Sequence, residues 1–161
     1  MIRPARKDDA SALCTIYNHY IRETAVTFEE SPVPIKEMER RIGEIGAAYP
    51  WLVYDDGVYV LGYAYINRWR DRSAYRYSAE TTVYVKTGSE RKGIGAALYT
   101  ALLGAARKAG IHALVAGITL PNKASVALHE QFGFKKIARF NEIGFKQNRW
   151  LDVGYWELIL K

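Results

Sequence analysis

Cysteine is almost absent from this chain, which contains Cys14 alone among its 161 residues. A single cysteine cannot form a disulfide within the chain, and this fits a reducing compartment, so we expect a cytoplasmic protein. Cys14 lies in an apolar helical pattern, where a buried cysteine acts as a small hydrophobic side chain rather than as a nucleophile.

Long apolar runs are also missing. No run approaches the roughly 20 residues that a membrane helix needs, and the first residues lead into a polar segment rather than a signal region. We therefore predict no membrane partner. Repeats, low-complexity tracts and linkers are absent too, so residues 1–161 are predicted to form a single domain.

The chain also lacks histidines at the spacing of metal ligands and lacks long runs of like charge. His19 and His112 have no cysteine or carboxylate at ligand spacing, so no metal site is predicted. The net charge of 23 − 17 = +6 is spread along the chain and fits an anionic small molecule as well as a nucleic acid. The aromatic residues fall mostly in strand patterns rather than along a basic stripe, so we expect no nucleic-acid partner.

The apolar patterns that are present predict strands and helices in a definite order. The predicted strands are residues 2–4, 51–54, 58–66, 75–85, 113–119, 134–145 and 153–160, with a further extended segment at 24–28. The predicted helices are residues 7–22, 34–48, 93–109 and 122–132. A meander followed by strand–helix–strand–helix–strand predicts a mixed α/β sheet with βαβ crossovers and helices on both faces.

One strand–turn–helix stretch, residues 80–98, is suited to phosphate. A strand at 80–85 feeds a basic turn and then a helix, whose first N–H groups and positive dipole end attract anions. Gly93 and Gly95 would let the backbone approach such a ligand closely. A plain crossover with a glycine-bearing turn remains an alternative interpretation of the same stretch.

Two familiar nucleotide motifs do not fit this stretch. The gap from Gly88 to Gly93 suits a P-loop, but Ile94 and Gly95 follow where lysine and a hydroxyl are required. The dinucleotide motif needs a third small residue, and Leu98 occupies that place. The phosphate-binding turn therefore belongs to another class.

The Val-x-Val strand followed by Arg91-Lys-Gly-Ile-Gly-Ala resembles the GNAT superfamily of acetyl-coenzyme A-dependent N-acetyltransferases. Further motifs resemble its phosphinothricin and methionine sulfone or sulfoximine N-acetyltransferase branch, and these are Ile-Arg-Pro-Ala from Ile2, Tyr-Asn-His-Tyr from Tyr17, Ala-Glu-Thr-Thr-Val-Tyr-Val from Ala79, Leu-Pro-Asn from Leu120, Leu-His-Glu from Leu128, Gly-Phe-Lys from Gly144 and Trp-Leu-Asp-Val-Gly from Trp150. Together they cover nearly the whole chain.

The resemblance implies a fold and an activity. The expected fold has a mixed, mostly antiparallel central sheet, helices on both faces and a splayed pair of strands that forms the acetyl-CoA cleft. The expected reaction transfers acetyl from acetyl-CoA to the α-amino group of a small amino-acid-like substrate, without a metal, and the enzyme is expected to be a homodimer. Polyamines, aminoglycosides or a protein N-terminus are alternative acceptors.

The resemblance also implies which residues hold acetyl-CoA. Backbone groups of Val83, Tyr84 and Val85 would pair with the pantetheine arm like an added strand. The remaining implied contacts are Arg91, Lys92, Gly93, Ile94, Gly95 and Ala96 at the pyrophosphate, together with Asn122 and Ser125. Glu90 stands where the family has arginine or glutamine, and we expect its carboxylate to point away from the phosphates.

Glu80 and His129 are the implied catalytic residues. Amino-acid amines are mostly protonated at neutral pH, so a base, here Glu80, must take a proton directly or through one water. His129 stands where the family has a tyrosine that protonates the thiolate. The alternatives are a solvent-facing carboxylate that is paired with an arginine, and a packed helix histidine that is bonded to a backbone group.

The acceptor is expected to be held through its carboxylate by arginine, which can grip it with two parallel hydrogen bonds. The implied substrate-binding residues are Arg70, Asp71, Arg72, Glu80, Thr81 and Thr82. Phe28 and Tyr20 are further candidates for the pocket wall. A solvated loop charge is the alternative interpretation of each arginine.

Overall fold

The computed structural model describes all 161 residues and contains one seven-stranded sheet flanked by four helices. The strands are β1 (Ile2–Pro4), β2 (Trp51–Asp55), β3 (Val60–Arg68), β4 (Ser78–Val85), β5 (Ala113–Leu120), β6 (Lys135–Lys146) and β7 (Arg149–Ile159). The helices are α1 (Ala10–Glu23), α2 (Ile35–Ala48), α3 (Ile94–Lys108) and α4 (Lys123–Gln131). The strand order is β1-β2-β3-β4-β5-β7-β6, and β4–β5 is the parallel pair among antiparallel ones, so the predicted mixed sheet is confirmed.

Helices cover both faces of the sheet because neighbouring residues of each strand point to opposite faces. On β3, Tyr63 packs with the apolar faces of α1 and α2, whereas Ala64 and Ile66 pack with α3. The same alternation on β4 places Ala79 against α3 and Tyr84 on the α1 side. The sheet therefore has an α3 face, which α4 also joins, and an α1 face.

The β4–β5 pair separates after a short parallel contact. Only residues 78–80 of β4 pair with residues 113–115 of β5, and the last pair is Glu80 with Val115. Both strands continue beyond this point, to Val85 and Leu120, without pairing to each other. The splayed pair expected from the resemblance is thus confirmed, and the gap opens next to Glu80.

The sequence prediction differs from the structure at several element bounds. Residues 24–28 are bent rather than extended, and β4 begins three residues later than predicted because Ser73–Tyr75 forms a 3₁₀ turn. β7 begins at Arg149 because Gln147 and Asn148, both with positive φ, make a tight two-residue hairpin turn. Glutamine is not a typical residue for such a turn, so the sequence pattern did not predict a turn at these two residues.

The predicted βαβ crossovers are confirmed: β4–α3–β5 joins neighbouring parallel strands, and β5–α4–β6 joins parallel strands that have β7 between them. The strand after α4 is β6, which pairs only with β7, and β7 lies antiparallel between β6 and β5. Only the β4–α3–β5 unit brings two parallel strands side by side. Among the helices, none is both long enough and apolar enough to span a bilayer.

Candidate active site

A cleft of about 990 Å³ opens where β4 and β5 separate, and we call it the central cleft. Most of the residues predicted to bind or react contribute to its wall: Glu80, Thr81, Thr82, Val83, Tyr84, Val85, Arg91, Gly93, Ile94, Gly95, Ala96, Asn122, Ser125 and His129. Arg70, Asp71, Arg72 and Lys92 are not part of this wall. The cleft passes between the two faces of the sheet, because residues from both faces line it.

Alternate backbone groups of β4 face the gap. Lys86 N donates to Leu61 O of β3 at 2.8 Å, and the unbroken register makes the even-numbered residues of β4 pair with β3. The N–H and C=O groups of Val83 and Val85 therefore point toward β5, where no strand meets them. Tyr84 does not fit the expected backbone contact, because its backbone groups are directed toward β3.

The N-terminus of α3 forms the other end of the cleft. No side chain caps it, and the first helical bond runs from Ala97 N to Gly93 O at 2.9 Å. The N–H groups of Ile94, Gly95 and Ala96 therefore have no partner within the helix. Arg91 and Gly93 both have positive φ, which turns the chain into the helix and leaves its positive end open to an anion.

Glu90 is held within the turn that precedes α3. Its Oε2 accepts a hydrogen bond from Gly88 N at 2.7 Å, and Gly88 has a φ of 85°, which glycine adopts freely. The carboxylate is thus engaged with its own turn rather than with the N–H groups at the start of α3. This supplies a physical account of a glutamate next to an anion site.

Asn122 begins α4 at the opposite wall of the cleft. Its Oδ1 accepts a hydrogen bond from Ser125 N at 3.1 Å, so the side chain caps the helix as its position suggests. The side-chain amide N–H groups of Asn122 remain free. Asn122 and Ser125 therefore offer polar groups across the cleft from the N-terminus of α3.

Glu80 lies at the apex of the gap on the α1 face, with no hydrogen bond or ion pair to its carboxylate in the chain. Burial raises the pKa of Glu80, and the guanidinium of Arg70 partly opposes this rise. An unpaired, half-buried carboxylate with a raised pKa is better suited to take a proton than an exposed one held by arginine.

His129 is buried and lies in a chain of hydrogen bonds on the α3 face. Its Nδ1 is 2.7 Å from Ser125 O, and its Nε2 is 2.5 Å from the Tyr99 hydroxyl. The same hydroxyl is 2.9 Å from Thr81 Oγ1. Thr81, Tyr99 and His129 thus form a continuous buried network that reaches from β4 to α4.

The network decides the protonation of the neutral imidazole. A carbonyl oxygen only accepts, so in the neutral imidazole Nδ1 must carry the proton and Nε2 must accept from Tyr99. A phenol has one proton, so Thr81 then donates to Tyr99, and the bond from Tyr99 to Thr81 requires a cationic His129. Burial lowers the pKa of His129, and the bond to Ser125 O opposes this less strongly. The neutral form therefore has no proton to give at Nε2, and the residue has the geometry of the alternative interpretation, a packed helix histidine that is bonded to a backbone group.

The arginine loop after β3 lies beside the cleft. Arg70, Asp71 and Arg72 are all exposed, and Asp71 makes a 3.4 Å contact with Arg68. Of these three residues, only Arg70 acts on Glu80, through its charge. Its guanidinium carbon lies 4.6 Å from the centre of the Trp69 ring. Of the two threonines, Thr82 points to the α1 face with Glu80, whereas Thr81 points to the α3 face.

The segment at residues 24–31 closes the α1 side of the cleft. Phe28 lines the cleft from this segment, and Lys146 holds the segment through a 2.7 Å bond from its Nζ to Thr27 O. Tyr20 also lines the cleft, and its hydroxyl donates to Val85 O at 2.6 Å. The candidates Phe28 and Tyr20 are therefore both at the wall.

Sequence reasoning missed three residues of the site: Tyr99, Gly117 and Tyr155. Tyr99 lies in the middle of α3, where the helical pattern marks it only as core. Gly117 and Tyr155 are partners across β5 and β7, and nothing in their local sequence indicates that they meet Glu80. Predicting them would have required knowing which distant strands pair with each other. The chain contains no cluster of three or more side chains that is suited to hold a metal ion.

Comparison with known proteins agrees with this geometry. The family model of the acetyltransferase (GNAT) domain matches residues 2–154. The phosphinothricin N-acetyltransferase of Streptomyces viridochromogenes is 40% identical, over 97% of this chain and 85% of its own. The L-methionine sulfoximine/L-methionine sulfone acetyltransferase of Salmonella typhimurium is 37% identical, over 99% and 94%.

Solved structures lead to the same family. An acetyltransferase from Salmonella typhimurium, solved with its cofactor acetyl-CoA, has a TM-score of 0.97 and 36% identity, covering 100% of this chain and 94% of that one. The chain therefore belongs to the GNAT acetyltransferase family, and the resemblance of its motifs to the phosphinothricin and methionine sulfoximine branch is confirmed.

The Thr81–Tyr99–His129 network makes a stability prediction. Tyr99→Phe removes the donor to His129 Nε2 and leaves a buried acceptor unsatisfied, so we expect a loss of about 1–3 kcal/mol in the free energy of unfolding. Urea denaturation measures it. Tyr54→Phe is the matched control, since that hydroxyl makes no hydrogen bond to the protein. A Tyr99→Phe variant within about 0.5 kcal/mol of the parent would contradict the buried bond.

Proposed function

We propose that this protein is an acetyl-CoA-dependent N-acetyltransferase that acetylates the α-amino group of a small amino-acid-like substrate, within a single domain of residues 1–161. The observation that carries the proposal is the gap between β4 and β5. It has an unpaired carboxylate, Glu80, at its apex and an uncapped helix N-terminus at its far end. The first suits an incoming amine and the second suits a phosphate.

The cleft fits acetyl-CoA from end to end. The pyrophosphate would accept hydrogen bonds from the N–H groups of Ile94, Gly95 and Ala96, with the charges of Arg91 and Lys92 nearby. The pantetheine arm would pair with the N–H and C=O groups of Val83 and with the N–H of Val85, as an added strand would, since Val85 O already accepts from the Tyr20 hydroxyl. Asn122 and Ser125 would contact it from α4. In this arrangement Tyr84 contributes its ring to the aromatic packing on the α1 face, where its ring centre lies 5.1 Å from that of Tyr17.

Glu80 would act as the base. The substrate ammonium gives a proton to the Glu80 carboxylate, directly or through one water, and the amine nitrogen then attacks the thioester carbon. A backbone N–H of β4 that faces the gap would stabilise the negative charge that develops on the carbonyl oxygen. As the C–S bond breaks and the amide forms, the nitrogen would lose its second proton to water in the cleft, and the thiolate would take up a proton and leave as coenzyme A.

His129 would serve the leaving thiolate through Tyr99 and Thr81 rather than by direct contact. In this role the imidazole must first be cationic, with Nε2–H donating to the Tyr99 oxygen and the Tyr99 hydroxyl donating to Thr81. The network already has the spacing for this reversal. Because burial lowers the pKa of His129, the cationic form would be a strong acid and would give up its proton readily.

Substrate recognition would use residues on both faces of the sheet near Glu80, together with the arginine loop after β3. Arg70 and Arg72 would bind the substrate carboxylate, with Asp71 shaping their loop through its contact with Arg68. Thr82 would face the substrate beside Glu80, and Thr81 would act through Tyr99. An arginine-bearing rim disfavours polycations, and this supports an amino-acid-like acceptor over a polyamine or an aminoglycoside.

The acceptor class can be tested with purified protein and acetyl-CoA. We expect thiol release with phosphinothricin, methionine sulfone or methionine sulfoximine, and little with spermidine or kanamycin. The decarboxylated amine of methionine sulfone is the matched control, since it keeps the amine and loses the carboxylate. It should react at least about tenfold less efficiently, the equivalent of one lost charged hydrogen bond. Equal rates with and without the carboxylate would contradict the acceptor assignment.

The role of Glu80 has its own test. Glu80→Gln should lower turnover by about 100-fold or more, leave acetyl-CoA affinity nearly unchanged, and abolish the acidic limb of the pH–rate profile. In the parent, activity should fall as the pH drops through the raised pKa of Glu80, because only the carboxylate accepts a proton. Glu23→Gln, an exposed site with the same charge change, is the control. A Glu80→Gln profile that matches the parent's would rule Glu80 out as the base.

We also propose that the protein is a cytoplasmic homodimer. The free buried thiol of Cys14 suits a reducing compartment. β6 pairs on one side only, and the exposed apolar side chains on β6 and β7 are Ile137, Phe140, Ile143, Phe145 and Trp150. The register places Phe145 and Trp150 on the α3 face and Phe140 on the α1 face, so the exposed Phe145–Trp150 pair is the apolar patch that we assign to the dimer contact. The absence of a nucleic-acid partner stays a prediction.

Sedimentation velocity tests the dimer. Phe145 packs 4.9 Å from Trp150 in the exposed apolar group. Phe145→Glu places a charge in this surface and should convert a dimer to monomer at micromolar concentration. Val58→Glu is the control, because Val58 is equally apolar and exposed but lies in the β2–β3 turn. A parent that sediments as a monomer would overturn this part of the proposal.

A further inference from the structure

Glu80 is bounded on one side by an aromatic ring that lies over a glycine. Gly117 of β5 and Tyr155 of β7 are partners in the sheet register. A Cβ atom built on Gly117 would lie 3.2 Å from Tyr155 Cε1 and 3.4 Å from Glu80 Oε1. The separation from the Tyr155 ring is tighter than most contacts, and the separation from Glu80 is at the limit of an ordinary one, so a side chain at 117 would occupy the point that the ring and the carboxylate both approach.

The Tyr155 ring is held in place by two other aromatic residues. It meets Phe140 edge to face at 5.6 Å between ring centres, and Trp69 edge to face at 5.9 Å. These are favourable arrangements of aromatic pairs. Phe140 comes from β6 and Trp69 from the loop after β3, so the ring is supported from both sides of the apex and cannot turn away from Gly117 without losing these contacts.

The Glu80 carboxylate makes no hydrogen bond or ion pair with any side chain, so its orientation is not fixed by a polar partner. The charged and titratable groups that act on or respond to Glu80 are Arg70 in the loop after β3, Tyr65 on β3 and Tyr155 on β7. None of them makes a hydrogen bond to Glu80. Burial raises the pKa of Tyr155, and the negative charge of Glu80 raises it further, so the phenol stays neutral next to the carboxylate.

We propose that Tyr155, seated over Gly117, is a positioning residue for Glu80: its ring excludes water from one side of the carboxylate and directs it toward the acceptor amine. The inference rests on the proposed function, in which Glu80 is the base. Three consequences follow from the geometry. The ring matters more than its hydroxyl, position 117 tolerates no side chain, and the effect is on Glu80 rather than on acetyl-CoA binding.

The first measurement needs no activity. The ¹³C resonance of the Glu80 carboxyl, assigned with Glu80→Gln, reports its titration in the parent, Tyr155→Phe and Tyr155→Ala. Tyr155→Phe should titrate like the parent. Tyr155→Ala admits water and should titrate at a pH lower by roughly one unit. An unmoved Glu80 titration in folded Tyr155→Ala would overturn the proposal. If Tyr155→Ala does not fold, Tyr155→Thr removes the ring with a residue that strands tolerate.

The second measurement is kinetic. In Tyr155→Ala the acidic limb of the pH–rate profile should move down with the NMR titration, while the KM for acetyl-CoA stays within about twofold. Gly117→Ala should lower kcat roughly tenfold, since its methyl group displaces the ring or the carboxylate. Gly104→Ala is the matched control, because a Cβ there meets nothing within 4 Å. Gly117→Ala with parental kcat would overturn the proposal.

The two hypotheses fail differently. If Glu80→Gln keeps the parental pH profile, the base assignment fails, and the NMR titration still decides whether Tyr155 controls the protonation of Glu80. If Glu80→Gln loses the acidic limb and Tyr155→Ala leaves both the limb and the titration unmoved, the positioning role fails and the proposed function stands.

Discussion

The separation of β4 from β5 after the Glu80–Val115 pair is the constraint on which the rest of this structure depends. Two parallel strands that part leave backbone N–H and C=O groups without partners, and such groups are costly unless water or a ligand satisfies them. Here the Tyr20 hydroxyl satisfies Val85 O, and the backbone groups of Val83 and the N–H of Val85 line a cleft that leads to an uncapped helix. An arrangement that would be a defect in a closed sheet becomes a binding surface for an extended acyl carrier.

The sheet also separates two kinds of chemistry. The α3 face carries the helix N-terminus and the buried Thr81–Tyr99–His129 network, which suit the donor and its leaving group. The α1 face carries Glu80 with Tyr155, which suit the incoming amine. Adjacent residues of one strand serve both sides, since Glu80 and Thr81 point in opposite directions. The reaction would therefore take place in the one region where the two faces communicate.

Much of this was predictable from local patterns, and the exceptions have physical causes. The glycine turn, the strand before it and the helix after it have local signatures, and the motifs identified the family. The expectation that Glu90 points away from the phosphates was inferred from charge alone; its carboxylate accepts from Gly88 N, and the residue also lines the central cleft. The direction of the Tyr84 backbone groups and the bond between His129 and Tyr99 were harder to predict, because both depend on register and packing between elements far apart in sequence.

The sequence by itself determined the order of the elements and the family, and it led to the prediction that Glu80 is the base, since these depend on periodicity, turn residues and short motifs. Only the tertiary structure decided the environments of these residues. The environment of Glu80, the ring of Tyr155 beside Gly117 and the contact of Tyr99 with His129 join residues that are distant in sequence, whereas the Nδ1 proton of His129 is set by Ser125 O within the same helix. Such contacts set burial and hydrogen bonding, and these in turn set proton affinity.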